Sequence, residues 1–210
     1  MDWNFAELER AKRYKLLVGL VVPRPIALIT TVSLSGVVNA APFSFFNVMG
    51  DEPPIVIVSI EDRDSGALKD SARNISESGE FVVNLVDEAI AEKMHACSID
   101  YLAEVSEIEM VGFSCAASTQ VKPPRLAEAP VALECTLHSR IDIDTRHLLI
   151  GQVRHLHVRD ELIDPASLRV RMDNYHPVGR LFANQYTRTR DRFALEANAY
   201  LERMAAAGRT

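Results

Sequence analysis

The chain has 210 residues, of which 48% are apolar and 25% charged, with a net charge of −6. That length suffices for one domain with a complete core, and no shift in composition marks a second. No apolar run reaches the ~20 residues a membrane helix needs, and the acidic balance leaves no concentrated basic face for nucleic acid. The cysteines, Cys97, Cys115 and Cys135, fit neither a disulfide framework nor a CxxC site. The N-terminal MDWNFAELERAKRYK lacks an apolar secretory core, so the expectation is a soluble cytoplasmic protein with neither a membrane nor a nucleic-acid partner.

In chain order, residues 2–17 read as a helix leading into a β-branched strand over 26–32, closed by the turn Leu34-Ser35-Gly36. Residues 39–47 form a polar, turn-rich connection of side-chain amides, small residues and aromatics, and a second short strand follows over 55–60. Residues 65–78 read as an amphipathic helix with Leu68, Ala72 and Ile75 on one face, stopped by Gly79. After a strand over 81–86, Asp87 is placed to cap a helix running to about His95, and the region to Val111 is less regular. Residues 131–143 alternate most cleanly, with Val131, Leu133, Cys135, Leu137, Ile141 and Ile143 on a core face and Glu134, Thr136, His138, Arg140 and Asp142 on a polar one. Cys135 therefore reads as a buried small apolar residue.

A second long strand, 147–158, has Val153 out of phase with Leu156 and Val158, which predicts a bulge or bend. Residues 178–185 add a short strand or extended loop. The chain closes in a helix over about 191–206 with Phe193, Ala197, Tyr200, Leu201 and Met204 in one stripe. Strands dominate the middle, so an antiparallel barrel with accessory helices is expected over a doubly wound sheet. Neither GxGxxG after a strand nor GxxxxGK[ST] occurs, which removes the usual signs of Rossmann or P-loop binding.

Three clusters carry candidate chemistry. Residues 39–47 offer small residues for close backbone approach and aromatics for covering a planar ring, or they form an ordinary loop after a hairpin. Arg63, Ser65, Lys69 and Ser71 surround the predicted helix start. That is the arrangement of a phosphate cradle, with Ser65 near the N-cap; the alternative is a simple cap with solvated charges. In Tyr175-His176-Pro177-Val178-Gly179-Arg180, His176 and Arg180 could approach a ligand or face water in a turn. His155 and His157 share a strand face at a spacing suited to metal ligands, but no third ligand is evident, and no metal is expected.

Taken together, PRPIALITT, NAAPFSFFNVMGDEPPIVIVSI, KDSARNISESGEFVVNLV and HPVGRLFANQY, in this order and spacing, resemble the flavin reductase-like family over about residues 14–186. The resemblance implies an FMN-binding split β-barrel, mainly β with accessory helices and an antiparallel, Greek-key-like topology. The whole chain, 1–210, would be one such domain, with an N-terminal helix over 2–17, the barrel over about 18–186 and a C-terminal helix beyond it. It implies a homodimer that binds FMN, with FAD as the alternative flavin, and that uses NAD(P)H as co-substrate to reduce flavin, with a monooxygenase as prospective partner. Alternatives are an electron-transfer flavoprotein and a non-catalytic binding module. By this resemblance Thr30, Thr31, Asn39, Ala40, Ala41, Ser44 and Phe45 line the isoalloxazine and ribityl, and Ser59 and Ile60 continue that wall. Arg63, Ser65, Lys69 and Ser71 hold the phosphate, Ser71 standing where the family often has threonine. His176 and Arg180 lie near the ring or the nicotinamide.

Overall fold

The computed structural model describes residues 1–195 and 203–207. A short 3-10 turn at Phe5–Glu7 precedes helix α1, Arg10–Leu20, and then come strands β1, Ala27–Val32; β2, Val38–Phe43; β3, Phe46–Asp51; and β4, Pro54–Glu61. Helix α2, Asp70–Ser78, leads into β5, Glu80–Leu85, followed by α3, Ala91–Ala96, and α4, Glu107–Val111. The two-residue strands β6, Cys115–Ala116, and β7, Arg125–Leu126, bracket a loop ahead of the long hairpin of β8, Val131–Ile143, and β9, Arg146–Val158. Strands β10, Val178–Arg180, and β11, Tyr186–Arg188, form a small separate ribbon.

One antiparallel sheet carries the fold, in the order β2-β1-β5-β8-β9-β4-β3. Its two edge strands are consecutive in sequence, joined only by Ser44 and Phe45. Three Cα–Cα steps of 3.8 Å reach at most about 11 Å, so the two edges must lie side by side. The sheet is therefore curled into a barrel split between β2 and β3. The Ser59 N–H donates to the Phe45 carbonyl at 2.8 Å, pinning β4 to that junction.

The barrel interior is filled by Ile29, Val58, Ile60, Phe81, Cys135 and Leu149, and α2 plugs it with Ala72 and Ile75. Each such large side chain contributes about 1.5–3 kcal/mol by leaving water. Burial pushes the Cys135 thiol up to about 12, the behaviour expected of an inert core cysteine. Gly151 is required by packing, because a Cβ there would stand 2.3 Å from the Phe81 Cζ. On the outer face, Leu28, Ala40, Val86, Met94 and Ile108 form a second core with α3 and α4.

Several expectations need correction. The N-terminal helix starts at Arg10 and runs to Leu20, because residues 2–9 spend their length on the 3-10 turn. Residues 39–47 form the facing ends of β2 and β3, both edges of the split, where composition suggested a loop. The helix read from residue 65 begins at Asp70, and Ser65 sits in an exposed turn closed by a bond from the Gly66 N–H to the Arg63 carbonyl. Gly79 ends α2 as expected, in the left-handed conformation at φ 72°. Asp87 caps its turn by accepting from Ala89 and Ile90, although the helix proper begins at Ala91.

The bulge read from Val153 is present: Glu134 pairs with His155 while Cys135 pairs with Val153, leaving Arg154 over. The two faces of β8 do not sort as the alternation predicts: Glu134 is fully buried beneath the loop at Thr119 and Gln120, while Ile141 and Ile143, read as core, are exposed where the strand runs beyond the barrel. Most of the C-terminal helix, including Ala197, Tyr200 and Leu201, falls outside the described residues. Residues 191–195 are not helical, and 203–206 are.

Candidate functional site

Strand β2 runs between two adjoining cavities that share Pro42, Phe43 and Ser98. The larger, of about 420 Å³, is walled by Tyr14 and Lys15 from α1, by Phe43 and Ser44 at the strand junction, and by Phe182 and Tyr186 beside β10 and β11. Arg24 and Arg180 also line it. The two arginines are neighbours because their main chains bond reciprocally, Arg24 N–H to the Arg180 carbonyl at 3.0 Å and Arg180 N–H to the Arg24 carbonyl at 2.8 Å.

Arg24 is buried without a carboxylate. Its guanidinium donates to the carbonyls of Val18 at 2.5 Å, Val21 at 2.9 Å and Leu181 at 3.0 Å, and reaches Ser44 Oγ at 3.4 Å. Burial is the main cause that draws its pKa below the usual arginine value, with Tyr14 opposing and Arg180 adding to the fall. The planar fork is what allows one side chain to tie α1 to the loop after β10. Arg180 lies over the Tyr186 ring at 4.7 Å and donates to its hydroxyl, which also meets His95 Nδ1 at 2.9 Å. The cavity is thus half aromatic and electropositive.

The smaller cavity, of about 130 Å³, is lined by Asn39 and Ala41 from β2, by Arg63, Lys69, Asp70 and Ser71 at the start of α2, and by Asp100 and Glu107. Arg63 pairs with Asp70 at 2.5 Å and with Asp100 at 3.3 Å, and Arg73 also pairs with Asp70. Lys69 makes no ion pair among the described residues, and at the N-cap of α2 it provides no side-chain cap. The first N–H groups of that helix therefore keep their capacity for an anion, which the helix dipole favours.

Glu107 accepts from the Ala40 N–H at 2.9 Å. Burial, the main cause, pushes its carboxyl above the usual carboxylate value, and the Ala40 bond only partly opposes this. Arg63 thus spends its charge on Asp70 and Asp100, and Lys69 is the cation lining this cavity that is not paired with a carboxylate among the described residues. Asn39 sits between them, its amide oxygen accepting from Ser71 Oγ at 2.9 Å when its nitrogen faces Glu107 at 3.2 Å.

The candidates from sequence divide accordingly. Ser44 and Arg180 line the larger cavity, and Asn39, Ala41, Arg63, Lys69 and Ser71 line the smaller. Ala40 is buried in the wall between strand and α4, presenting its N–H to Glu107. Thr30 and Thr31 are fully buried, Thr30 donating to the Pro124 carbonyl at 2.6 Å and Thr31 accepting from Asn74 at 3.0 Å. Ile60 points into the barrel. Phe45 lies on the other side of the junction in a groove of about 780 Å³, with Arg146 over its ring at 5.0 Å.

Ser59, Ser65 and His176 line neither cavity, and His176 is separated from Arg180 by the turn into β10, its carbonyl accepting from the Glu88 N–H. Arg24 and Glu107 are the residues that sequence reasoning missed. Arg24 stood inside the quoted PRPIALITT, between two prolines that block helix and fix its direction. Glu107 gave no signal, because its partners come from β2, far away in the chain.

The barrel closed over two edge strands, with an aromatic, cationic cavity joined to an anion-suited one, defines a flavin-binding split barrel. A family model for the flavin reductase like domain matches residues 19–179, and the chain belongs to that family. Among solved structures it is similar to the 2-nitrobenzoate 2-nitroreductase NbaA of Pseudomonas fluorescens, at 41% identity and a TM-score of 0.87 over 94% of this chain and 96% of that one. It is also similar to nitrilotriacetate monooxygenase component B of Bacillus cereus, at 33% identity and a TM-score of 0.87 over 93% and 98% of the two chains. The flavoredoxin of Desulfovibrio vulgaris shares the fold at 18% identity, with a TM-score of 0.75 over 95% of this chain and all of that one.

Proposed function

We propose that this protein is an NAD(P)H-dependent flavin reductase that binds FMN across the two adjoining cavities. The observation that carries the reading is their junction at Pro42 and Phe43, which sets a ring-sized aromatic cavity against a cavity with an uncompensated lysine and an open helix N-terminus. The donor set fits the group: Lys69, Arg63, Ser71 and the first N–H groups of α2 suit the phosphate, and Asn39, Ala41 and Ser44 suit the ribityl and ring edge. When bound, flavin accepts hydride from the nicotinamide C4 position, chemistry that belongs to the cofactor.

The chain's part is positioning and electrostatics. Arg24 and Arg180 balance negative charge at the ring edge, and because Arg24 is already held by carbonyl groups it need not reorganise as charge develops. Phe43, Phe182 and Tyr186 keep water from that edge. Thr30, Thr31, Ala40 and Ile60 act from beneath, keeping the strands in place. Ser59, Ser65 and His176 make no flavin contact within this subunit. Exposed Leu17 and Leu20 on α1 and Val21 just after it, together with Val48 and Met49 on β3, support a homodimer, in which the groove at Phe45 would be covered by the second copy.

Similarity to component B of a monooxygenase supports a role in supplying reduced flavin to an oxygenase. Similarity to NbaA favours a second reading, in which bound flavin reduces a nitroaromatic acid directly and the arginine pair receives its carboxylate. Among the described residues no helix is long and apolar enough to cross a membrane. The test is absorption of the purified protein near about 450 nm, where oxidised flavins absorb, followed on adding NADH or NADPH. Bleaching supports the reductase. Absence of both flavin binding and nicotinamide oxidation refutes it, and bleached protein reoxidised faster by 2-nitrobenzoate than by free FMN selects the second reading.

A further inference from the structure

On the outer face of the barrel, among residues that line neither flavin cavity, three metal-type donors converge: Glu134, His155 and His157. The two histidines share one face of β9, and the register of the hairpin supplies the third donor that their spacing alone lacked. Glu134 lies directly opposite His155, and His157 lies opposite Ala132, one step along the same face. Directly opposed residues have Cβ atoms about 4.5–5.5 Å apart, and the diagonal neighbour is still within reach of long side chains.

The bulge at Arg154 is what makes this face. Val153 packs into the barrel interior, and in a regular strand His155, two residues on, would point there too. One extra residue turns His155 outward beside Glu134, the kind of re-aiming for which bulges serve.

We propose that Glu134, His155 and His157 form a site for a first-row divalent transition metal of the zinc class, cross-linking β8 to β9. Donor atoms of all three lie within 4.8 Å of one another. His157 Nε2 is already 2.5 Å from Glu134 Oε1, and the two imidazole rings stand 4.7 Å apart, tilted by 55°. Glu134 is fully buried, and its carboxylate is oriented by the N–H groups of Thr119 at 2.7 Å and Gln120 at 2.5 Å. Outer partners of this sort fix a ligand carboxylate for its metal. His155 makes no hydrogen bond among the described residues, leaving both ring nitrogens free to bind. Two imidazoles and one carboxylate select zinc, cobalt or nickel over magnesium or calcium, and three protein ligands leave a position for water.

The experiment uses the full chain without a histidine tag, stripped with chelator and titrated with Zn²⁺ against a competing dye and with Co²⁺ by visible absorption. One saturable equivalent is expected, with the d–d bands of a four- or five-coordinate cobalt site and a rise in melting temperature on adding zinc. Since Glu134→Ala risks unfolding a buried site, His155→Ala is the informative variant: it breaks no bond of the metal-free fold and should weaken both ions by about tenfold or more. His138→Ala, an exposed histidine on the same hairpin, should change nothing. Absence of saturable binding below millimolar metal, or binding that His155→Ala leaves unchanged, overturns the proposal and leaves Glu134–His157 as a plain hydrogen bond. Flavin binding plays no part in either result.

Discussion

Replacing Lys69 with alanine separates the phosphate from the rest of the cofactor. Lys69 lines the smaller cavity, makes no ion pair among the described residues, and precedes the uncapped first turn of α2. Its loss therefore frees no buried carboxylate and should leave the fold intact. A hydrogen bond to a charged group contributes about 1.5–3 kcal/mol, and since each 1.4 kcal/mol is tenfold, FMN should bind roughly 10- to 150-fold more weakly. Riboflavin, which has the ring and ribityl but no phosphate, supplies the control. Titration of both flavins by fluorescence quenching should show a large loss for FMN and almost none for riboflavin. Equal losses would mean that Lys69 acts on the ring or on the fold, and unchanged FMN affinity would remove the phosphate from this cavity. Arg63→Ala should cost more, and part of its cost should appear with riboflavin, because it leaves Asp70 with Arg73 alone and Asp100 unpaired in the same cavity.

Three other outcomes follow from the same geometry. Gly151→Ala places a methyl 2.3 Å from the ring of fully buried Phe81, and overpacking of about 1–3 kcal/mol should lower the melting temperature by roughly 2–12 °C with far-UV circular dichroism unchanged. Arg24→Met leaves the buried carbonyls of Val18, Val21 and Leu181 without their donor, at about 1–3 kcal/mol for each acceptor left dry, so the denaturant midpoint should fall well beyond a surface arginine's share; an unchanged midpoint would show that α1 is held otherwise. Glu107 has its folded-state pKa raised from 4.5 by burial, so the native state holds the proton more tightly than the unfolded chain and stability falls as pH rises from about 4.5 through the folded value. Glu107→Gln keeps an acceptor for the Ala40 N–H and should flatten that fall in urea unfolding measured across the same range; an identical slope would assign the titration elsewhere.

The parts of the fold legible in sequence were those whose cause is local. The stop at Gly79 and the phase slip at Val153 each follow from side-chain direction or backbone conformation within a few residues, and each is present, whereas the core face read for residues 131–143 holds for Leu133, Cys135 and Leu137 and fails at Ile141 and Ile143, which are exposed. What was not legible depends on which strands become neighbours. Glu134 reads as polar and outward until the loop at Thr119 and Gln120 covers it, and Glu107 reads as an ordinary helical acid until β2 brings the Ala40 N–H against it. Residues 39–47 read as a loop because their glycine-free, amide- and aromatic-rich composition suits a turn; only closure of the barrel shows that they are the ends of two edge strands.

The same reasoning explains why the candidate residues parted as they did. Strand β1 is central in the sheet, between β2 and β5, and is covered on both faces, so Thr30 and Thr31 spend their hydroxyls on Pro124 and Asn74. Strand β2 is an edge, paired on one side only, and its free side is where Asn39, Ala41 and Ser44 meet the cavities. A split in a barrel is thus the physical condition for the site: β2 has no strand on its second side, where Glu107 of α4 instead takes the Ala40 N–H and the two cavities open beside it. The arginine pair stands at the end of that strand because Arg24 and Arg180 are bonded main chain to main chain, coupling the order of the β10–β11 ribbon to the larger cavity. Truncating Tyr186 to phenylalanine removes the hydroxyl that both Arg180 and His95 meet, so it should loosen Arg180 and slow nicotinamide oxidation while FMN affinity, set at the other end of β2, stays within about twofold, inside the few-tenths scale of independent sites. If FMN affinity falls with the rate, the two ends of the strand are not separable and the division of labour proposed for them is wrong.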